Sequence, residues 1–160
     1  MKNQNEIKIE QAYPEESSRL APLVIALLNE IMTASGASSF NINLEEMTAR
    51  CEQFINSGSY IVYKASINNR AVGLITLCES LSLYAEGTYG IIQELYVIGG
   101  FRSLGIGKRL VNAVKAYGKH KGWKRLEVTT PPLPEFDRTF SFYEKQGFSV
   151  AGGKKMKIPL

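Results

Sequence analysis

The residues with the clearest chemical potential lie in one turn, Val97-Ile-Gly-Gly-Phe-Arg-Ser-Leu-Gly-Ile-Gly-Lys-Arg-Leu110. The pattern predicts a strand that runs into a glycine-bearing turn and then into a helix. The first amide N–H groups of a helix have no internal acceptor, and the helix dipole adds partial positive charge there. Glycine lets a ligand approach that backbone because it has no Cβ, so such an end can hold a phosphate. Three phosphate loops share this logic, and spacing separates them. The dinucleotide pattern G-x-G-x-x-G/A fails, because Gly105-Ile-Gly107-Lys-Arg is followed by Leu110. The triphosphate pattern G-x-x-x-x-G-K-[ST] fails too: Gly100 and Gly105 have the spacing, but Ile106 follows. The third pattern, R/Q-x-x-G-x-G/A, is met in full by Arg102, Gly105 and Gly107.

Charge points the same way. Between Leu95 and Leu126 there is no Asp or Glu, and eight cations lie there: Arg102, Lys108, Arg109, Lys115, Lys119, Lys121, Lys124 and Arg125. That stretch carries +8 in a chain of net charge +4, so the rest carries −4. Such asymmetry predicts an anionic partner, a nucleic acid or a small phosphorylated cofactor. The other reactive residues offer less. Cys51, Cys78 and the single His120 make no zinc spacing, so no metal is expected. A Cys–His nucleophilic pair is disfavoured because His120 sits in a Lys-rich, solvated stretch. Both cysteines read as small core hydrophobes.

The elements that must position this turn follow from periodicity. Ile7–Gln11 is a short strand candidate. Pro14 opens a helical region with an apolar stripe of Leu20, Leu23, Val24, Leu27, Leu28 and Ile31, and Pro22 either restarts or kinks it. The segment Thr33–Phe40 reads as a loop. Asn43 and Glu46 are spaced as a capping box before a second helix. Tyr60–Ala65 and Ala71–Leu77 are rich in β-branched and aromatic residues, and Asn68-Asn69 between them predicts a hairpin with a positive-φ turn. After a loop at Ala85–Gly90 come a strand at Ile91–Val97, the glycine turn, and a helix from about Gly105 to Lys121 that Gly122 stops. Leu126–Thr129 is the next strand. Asp137 is expected to cap a helix through Gln146, with Gly147 at its C′ position. Phe148–Ala151 and Lys155–Ile158 are expected to close the chain as strands around Gly152-Gly153. The sum is an α/β (α+β) domain with an antiparallel part first and a strand–helix–strand crossover later.

At 160 residues, with 44% hydrophobic and 21% charged residues, the chain is expected to form one folded domain over 1–160. No apolar run approaches the roughly 20 residues that span a bilayer, so no membrane partner is expected. The N-terminus MKNQNEIKIEQ has no apolar export region, so a cytoplasmic location is the default expectation.

The segment Gln93–Gly107 resembles motif A of the GNAT N-acetyltransferase family. The order of elements around it is similar as well, and Phe142-Tyr143-Glu144-Lys145-Gln146-Gly147-Phe148 resembles the family's F-Y-x-x-x-G-F ending. The resemblance covers most of the chain. It implies a mixed, mostly antiparallel sheet of about six to seven strands flanked by helices, with acetyl-CoA lying across the splayed strands Ile91–Val97 and Leu126–Thr129. The backbone of Leu95, Tyr96 and Val97 would pair with the pantetheine. The amides from Leu104 to Lys108, in the turn Ser103-Leu104-Gly105-Ile106-Gly107-Lys108, would hold the diphosphate, with Arg102 assisting.

The implied reaction has a simple requirement. A free amine with a pKa near 10 is protonated at neutral pH and must lose a proton to attack. The leaving thiolate then takes one back, and an oxyanion needs a donor, commonly a backbone N–H in this family. For the base, the resemblance points to Glu94 on the motif-A strand, with Glu86 as a second candidate. Gln93 and Glu94 point to opposite faces unless a bulge intervenes, as is common in the family. For the acid it points to Tyr143. Some positions depart from the family pattern. Seven residues before Tyr143, where many relatives carry Asn, stands Phe136, and Gly99-Gly100 replaces the usual Pro-Glu. Arg138 in that region is a candidate contact for a CoA phosphate or an acidic substrate group. The expected activity is acetyl transfer to a primary amine, on a small molecule or a peptide, entering between the loop Thr33–Phe40, the hairpin and the loop Thr130–Phe136. The competing readings are a non-catalytic CoA-binding sensor and a basic nucleic-acid-binding module built on Phe101, Tyr117 and Trp123. Homodimers are common in the family, and nothing in the sequence decides oligomeric state.

Overall fold

Residues 6–36 and 40–160 are described by the computed structural model. They fall into two compact units, one within residues 1–129 and one within 130–160. The first holds a five-stranded mixed sheet in the order β1 (Lys8–Gln11), β2 (Ile61–Ile67), β3 (Arg70–Ser82), β4 (Gly87–Val97) and β5 (Leu126–Val128). All neighbours are antiparallel except β4 and β5, which are parallel.

Local signals account for most boundaries. Asn68 and Asn69 take φ of 50° and 62°, the left-handed pair that a tight β2–β3 turn needs and that Asn tolerates. The helix α1 (Ser17–Ser35) follows a 3-10 turn at Pro14–Glu16. It continues through Pro22 without restarting there, at the cost of one internal hydrogen bond. It also absorbs Thr33–Ser35, expected as loop, and stops at left-handed Gly36; the expected loop residues 37–39 lie outside the described residues. Asn43 caps α2 (Leu44–Asn56), its side chain accepting from the Glu46 amide at 2.9 Å. The box is only half made, because Glu46 accepts instead from the Asn41 side chain at 2.6 Å.

The two faces of the sheet are covered by different helices. Leu74 and Tyr96 pack with Leu20 and Leu23 of α1. The adjacent residue, Gly73, faces the other way, toward Val97 and Ile106 of α3 (Ile106–Lys121). Ile106, Leu110, Val111 and Val114 bury the apolar stripe of α3 almost completely. Gly122 at φ 74° ends that helix, and the Trp123 amide closes the cap on the Gly118 carbonyl at 2.9 Å.

The strands β3 and β4 are longer than expected. Gly87–Gly90 belong to β4 rather than to a loop, and the connection shrinks to Leu83–Glu86. In the second unit, α4 (Asp137–Lys145) begins with Asp137 as its first residue; the capping position is Phe136, with no side-chain cap. The sheet has five strands, not six or seven. Among the described residues, 148–160 form no ladder, and Met156 and Ile158 are exposed. Their alternation lacks the neighbouring strand that would satisfy its backbone and cover its apolar face.

Candidate active site

The strand β4 carries the first part of the site. It pairs with β3 along its whole length, from Gly87 opposite Ser82 to Val97 opposite Gly73. It pairs with β5 only at Gly90, Ile91 and Ile92. Beyond Ile92 its outer edge has no ladder partner among the described residues. Hydrogen-bond direction alternates along a ladder. The Ile98 amide reaches the Val72 carbonyl at 2.9 Å on the β3 side. Tyr96 therefore turns its backbone to β3, while Leu95 and Val97 turn theirs to the open edge. The Tyr96 carbonyl lying 2.9 Å from where a Gly73 Cβ would stand agrees with this.

A bulge sits where the open edge begins. Thr76 faces Glu94 and Leu77 faces Ile92, so Gln93 is the extra residue on β4. Direct cross-strand partners share a face, so the bulge sets Glu94 on the face of Thr76, Leu74 and Tyr96. Regular alternation would have put it on the face of Ile92. There the Glu94 carboxylate is half-buried, and one oxygen, Oε2, accepts from both the Tyr60 hydroxyl and the Thr76 hydroxyl. The Thr76 hydroxyl also accepts from the Glu94 amide at 3.0 Å. Burial and the neighbouring Glu94 charge hold the Tyr60 phenol well above its ordinary range, so it stays a donor. Burial raises the Cys51 thiol; a hydrogen bond with Ser17 opposes this, and Glu94 adds to it.

The turn after β4 carries the second part. Ser103 and Gly105 are both left-handed, with φ of 66° and 74°. The Arg109 amide, bonded to the Gly105 carbonyl at 3.0 Å, is the first with an intrahelical acceptor. The amides of Ile106, Gly107 and Lys108 thus open α3 without one. Ile106 turns its side chain into the core, while Leu104, Lys108 and Arg109 are exposed. Arg102 is engaged elsewhere, on Glu30 and on the Val97 carbonyl. This arrangement can take an extended, amide-bearing ligand along the open edge and an anion at the helix start.

In the second unit, Tyr143 is buried between the rings of Phe142 and Phe148, each centred 5.4 Å away. Burial raises its phenol above the ordinary value. Gly147, at φ 94°, lets the Phe148 amide reach the Tyr143 carbonyl at 3.1 Å, a glycine cap with its apolar contact. Glu86 is exposed at the tip of the β3–β4 hairpin, φ 58°, eight residues or roughly 25 Å along the strand from Glu94. The two carboxylates do not share a site. Sequence reasoning missed Tyr60, Thr76 and Glu30. The partners lie 34, 18 and 72 residues from Glu94, Glu94 and Arg102, and only register brings them together. Among the described residues no group of acidic, cysteine and histidine side chains is placed to hold a metal, and no helix is long and apolar enough to cross a membrane.

No curated protein matches the chain. Solved structures do. An aminoglycoside acetyltransferase from an uncultured soil metagenomic sample superposes with a TM-score of 0.73 at 22% identity, covering 96% of each chain. Aminoglycoside N-acetyltransferase AAC(6')-Iy, solved with CoA, gives 0.80 at 15% identity over 99% of this chain and 98% of that one. A ribosomal-protein-alanine N-acetyltransferase from Brucella melitensis biovar Abortus 2308 gives 0.74 at 16% identity over 97% and 100%. At these identities the likeness is one of fold. The family model for GNAT acetyltransferases matches residues 25–148, a span that takes in the bulged strand, the glycine turn and the late Tyr-Gly-Phe cap. With most of its length matched, the chain belongs to the acetyltransferase (GNAT) family.

Proposed function

We propose that this protein is an acetyl-CoA-dependent N-acetyltransferase in which a primary amine attacks the thioester directly. One observation carries the reading: β4 presents an open backbone edge at Leu95 and Val97 and, through the Gln93 bulge, a fixed carboxylate at Glu94. The solved relative that holds CoA supports the choice of cosubstrate.

Acetyl-CoA supplies an activated acyl carbon and a thiolate leaving group. The backbone of Leu95 and the amide of Val97, whose carbonyl already accepts from Arg102, offer the pantetheine amides an additional strand to pair with, and Tyr96 between them holds β4 to β3. The turn Ser103-Leu104-Gly105 and the amides of Ile106, Gly107 and Lys108 receive the diphosphate, with positive charge from Lys108 and with Arg102 assisting. Glu94 takes the amine proton, directly or through a water, using the oxygen that Tyr60 and Thr76 leave free. Tyr143 returns a proton to the sulfur. A phenol whose pKa burial has raised is fully protonated at neutral pH, as an acid must be. Tyr143→Phe should lower kcat by about tenfold or more and leave CoA affinity near that of the wild type. Equal losses in both would remove the acid role.

The acceptor is an amine on a small molecule or a peptide. Structural relatives named for aminoglycosides and for a ribosomal-protein alanine support keeping both classes open. The test is a panel of aminoglycosides, polyamines, amino acids and peptides with free N-termini, read by release of the CoA thiol. Thiol release that follows one amine class is expected. CoA binding without release across the panel would make the protein a sensor instead.

A further inference from the structure

Arg102 is the most heavily engaged side chain of the phosphate turn. Its Nε donates to the Val97 carbonyl at 2.8 Å, and one terminal nitrogen donates to both Glu30 oxygens at 2.7 and 2.9 Å. Its guanidinium carbon lies 5.4 Å from the centre of the Tyr96 ring, and the Tyr96 hydroxyl donates to the same Glu30 carboxylate at 3.3 Å. These contacts join α1, the open end of β4 and the turn entering α3. They cover the one carbonyl of that edge that Val97 exposes, and they leave a single terminal nitrogen for any other partner.

The next residue, Ser103, is in a conformation that a non-glycine side chain holds only when its surroundings enforce it. Gly99 and Gly100 before Arg102 have nothing within 4 Å of where their Cβ atoms would be. That stretch is held by one 3-10 turn, the Phe101 amide on the Ile98 carbonyl at 2.8 Å and the Arg102 amide on the Gly99 carbonyl at 3.3 Å. Before Ser103 the turn is therefore held by that backbone turn and by the Arg102 side chain, and after it by the start of α3. Glu30 decides where that side chain goes.

We propose that Glu30 is a positioning residue for cosubstrate binding: it holds Arg102 as a strut, and the strut keeps the turn in the shape that leaves the Ile106–Lys108 amides open. This rests on the acetyl-CoA reading above. Arg102 then serves the diphosphate through the backbone it shapes rather than as its ligand, and α1 is coupled to the cosubstrate seat.

Charge makes the test one of sign. If Arg102 were simply a phosphate ligand dimmed by Glu30, Glu30→Gln would free its charge and tighten CoA binding. The strut predicts the reverse: Glu30→Gln weakens CoA about three- to fivefold by calorimetry, the scale of one exposed ion pair. In turnover the loss falls on KM for acetyl-CoA rather than on kcat. Arg102→Lys, which keeps the charge but loses the planar fork, should bind CoA no better than Arg102→Gln. Both residues are nearly half exposed, at 46% and 43%, so the variants should melt close to the wild type, which thermal unfolding checks. Tighter or unchanged binding in Glu30→Gln, or recovery in Arg102→Lys, overturns the strut while leaving the acetyl-CoA reading in place. No CoA heat with the wild-type protein overturns that reading and the strut with it.

Discussion

The two edges of β4 are made of the same residues and do opposite things. Along β3 the strand is paired from end to end, and its backbone is spent on holding the sheet together. Along β5 it is paired for three residues and then, among the described residues, bare. A bare edge is a hazard, because it pairs with any extended chain. Here it is short, begins at a bulge, and has Arg102 seated on the Val97 carbonyl. The lesson is that one inserted residue, Gln93, marks both events: β5 is left behind after Ile92, and Glu94 turns to the face of Thr76. The open edge and the face taken by Glu94 both start from a single local irregularity.

Removing that irregularity should have the largest effect. Deleting Gln93 leaves every β3 pair available but makes β4 regular, so it is expected to keep company with β5 beyond Ile92. The variant should fold, by thermal melting, and show no heat with CoA in calorimetry. Wild-type CoA affinity in the deletion would separate the bulge from the open edge and break the comparison at its centre.

A second substitution separates the edge from the side chain beside it. Glu94→Gln keeps the size, the bulge and the open backbone and removes the proposed base. It should lower kcat by about 10²- to 10⁴-fold while CoA affinity stays within about twofold by calorimetry. A parallel loss of affinity would mean that Glu94 belongs to the seat of the cosubstrate rather than to the chemistry.

The closed end of β4 can be attacked instead. A Cβ at Gly90 would run into the Trp123 ring and come within 2.6 Å of Leu126. Trp123 cannot retreat easily, since its indole nitrogen is bonded to Glu79 and its other side lies against Gly118. Gly90→Ala should therefore cost about 1–3 kcal/mol of overpacking in denaturant unfolding. A neutral result would mean that the Trp123 wedge is not what holds β5 to β4.

How much of this the sequence discloses depends on whether the cause is local. Asn68-Asn69, Gly105, Gly122, Asn43 and the Tyr143–Phe148 cap act through their own φ/ψ or through bonds a few residues long, and each is legible. So is the glycine spacing of the turn. The face taken by Glu94 is not, because it depends on register between β3 and β4. The hydroxyls that fix it, and Glu30 on Arg102, come from other elements altogether. The closing strands fail for the converse reason: Lys155–Ile158 has the right alternation, but alternation states only what a strand would look like if it had a neighbour.

The smallest effect concerns the closed side of the sheet away from β4. Glu16, just before α1, is bound to Lys64 of β2 and accepts from the Tyr13 amide at 3.0 Å. Burial raises its pKa, but the hydrogen bonds from Lys64 and Tyr13 and the charges of Lys64 and Arg19 outweigh this, so it sits below its ordinary 4.5. A carboxyl with a depressed folded-state pKa contributes stability above the unfolded value and loses it as pH falls through the folded one. Wild type should therefore exceed Glu16→Gln by about 0.5–1 kcal/mol near neutral pH, and the gap should close below roughly pH 4.5. A gap that is constant from neutral to acid would assign the stability to packing instead. CoA affinity at neutral pH should be the same in both proteins, because this fastening ties the turn before α1 to β2, and the open edge is on the other side of β3.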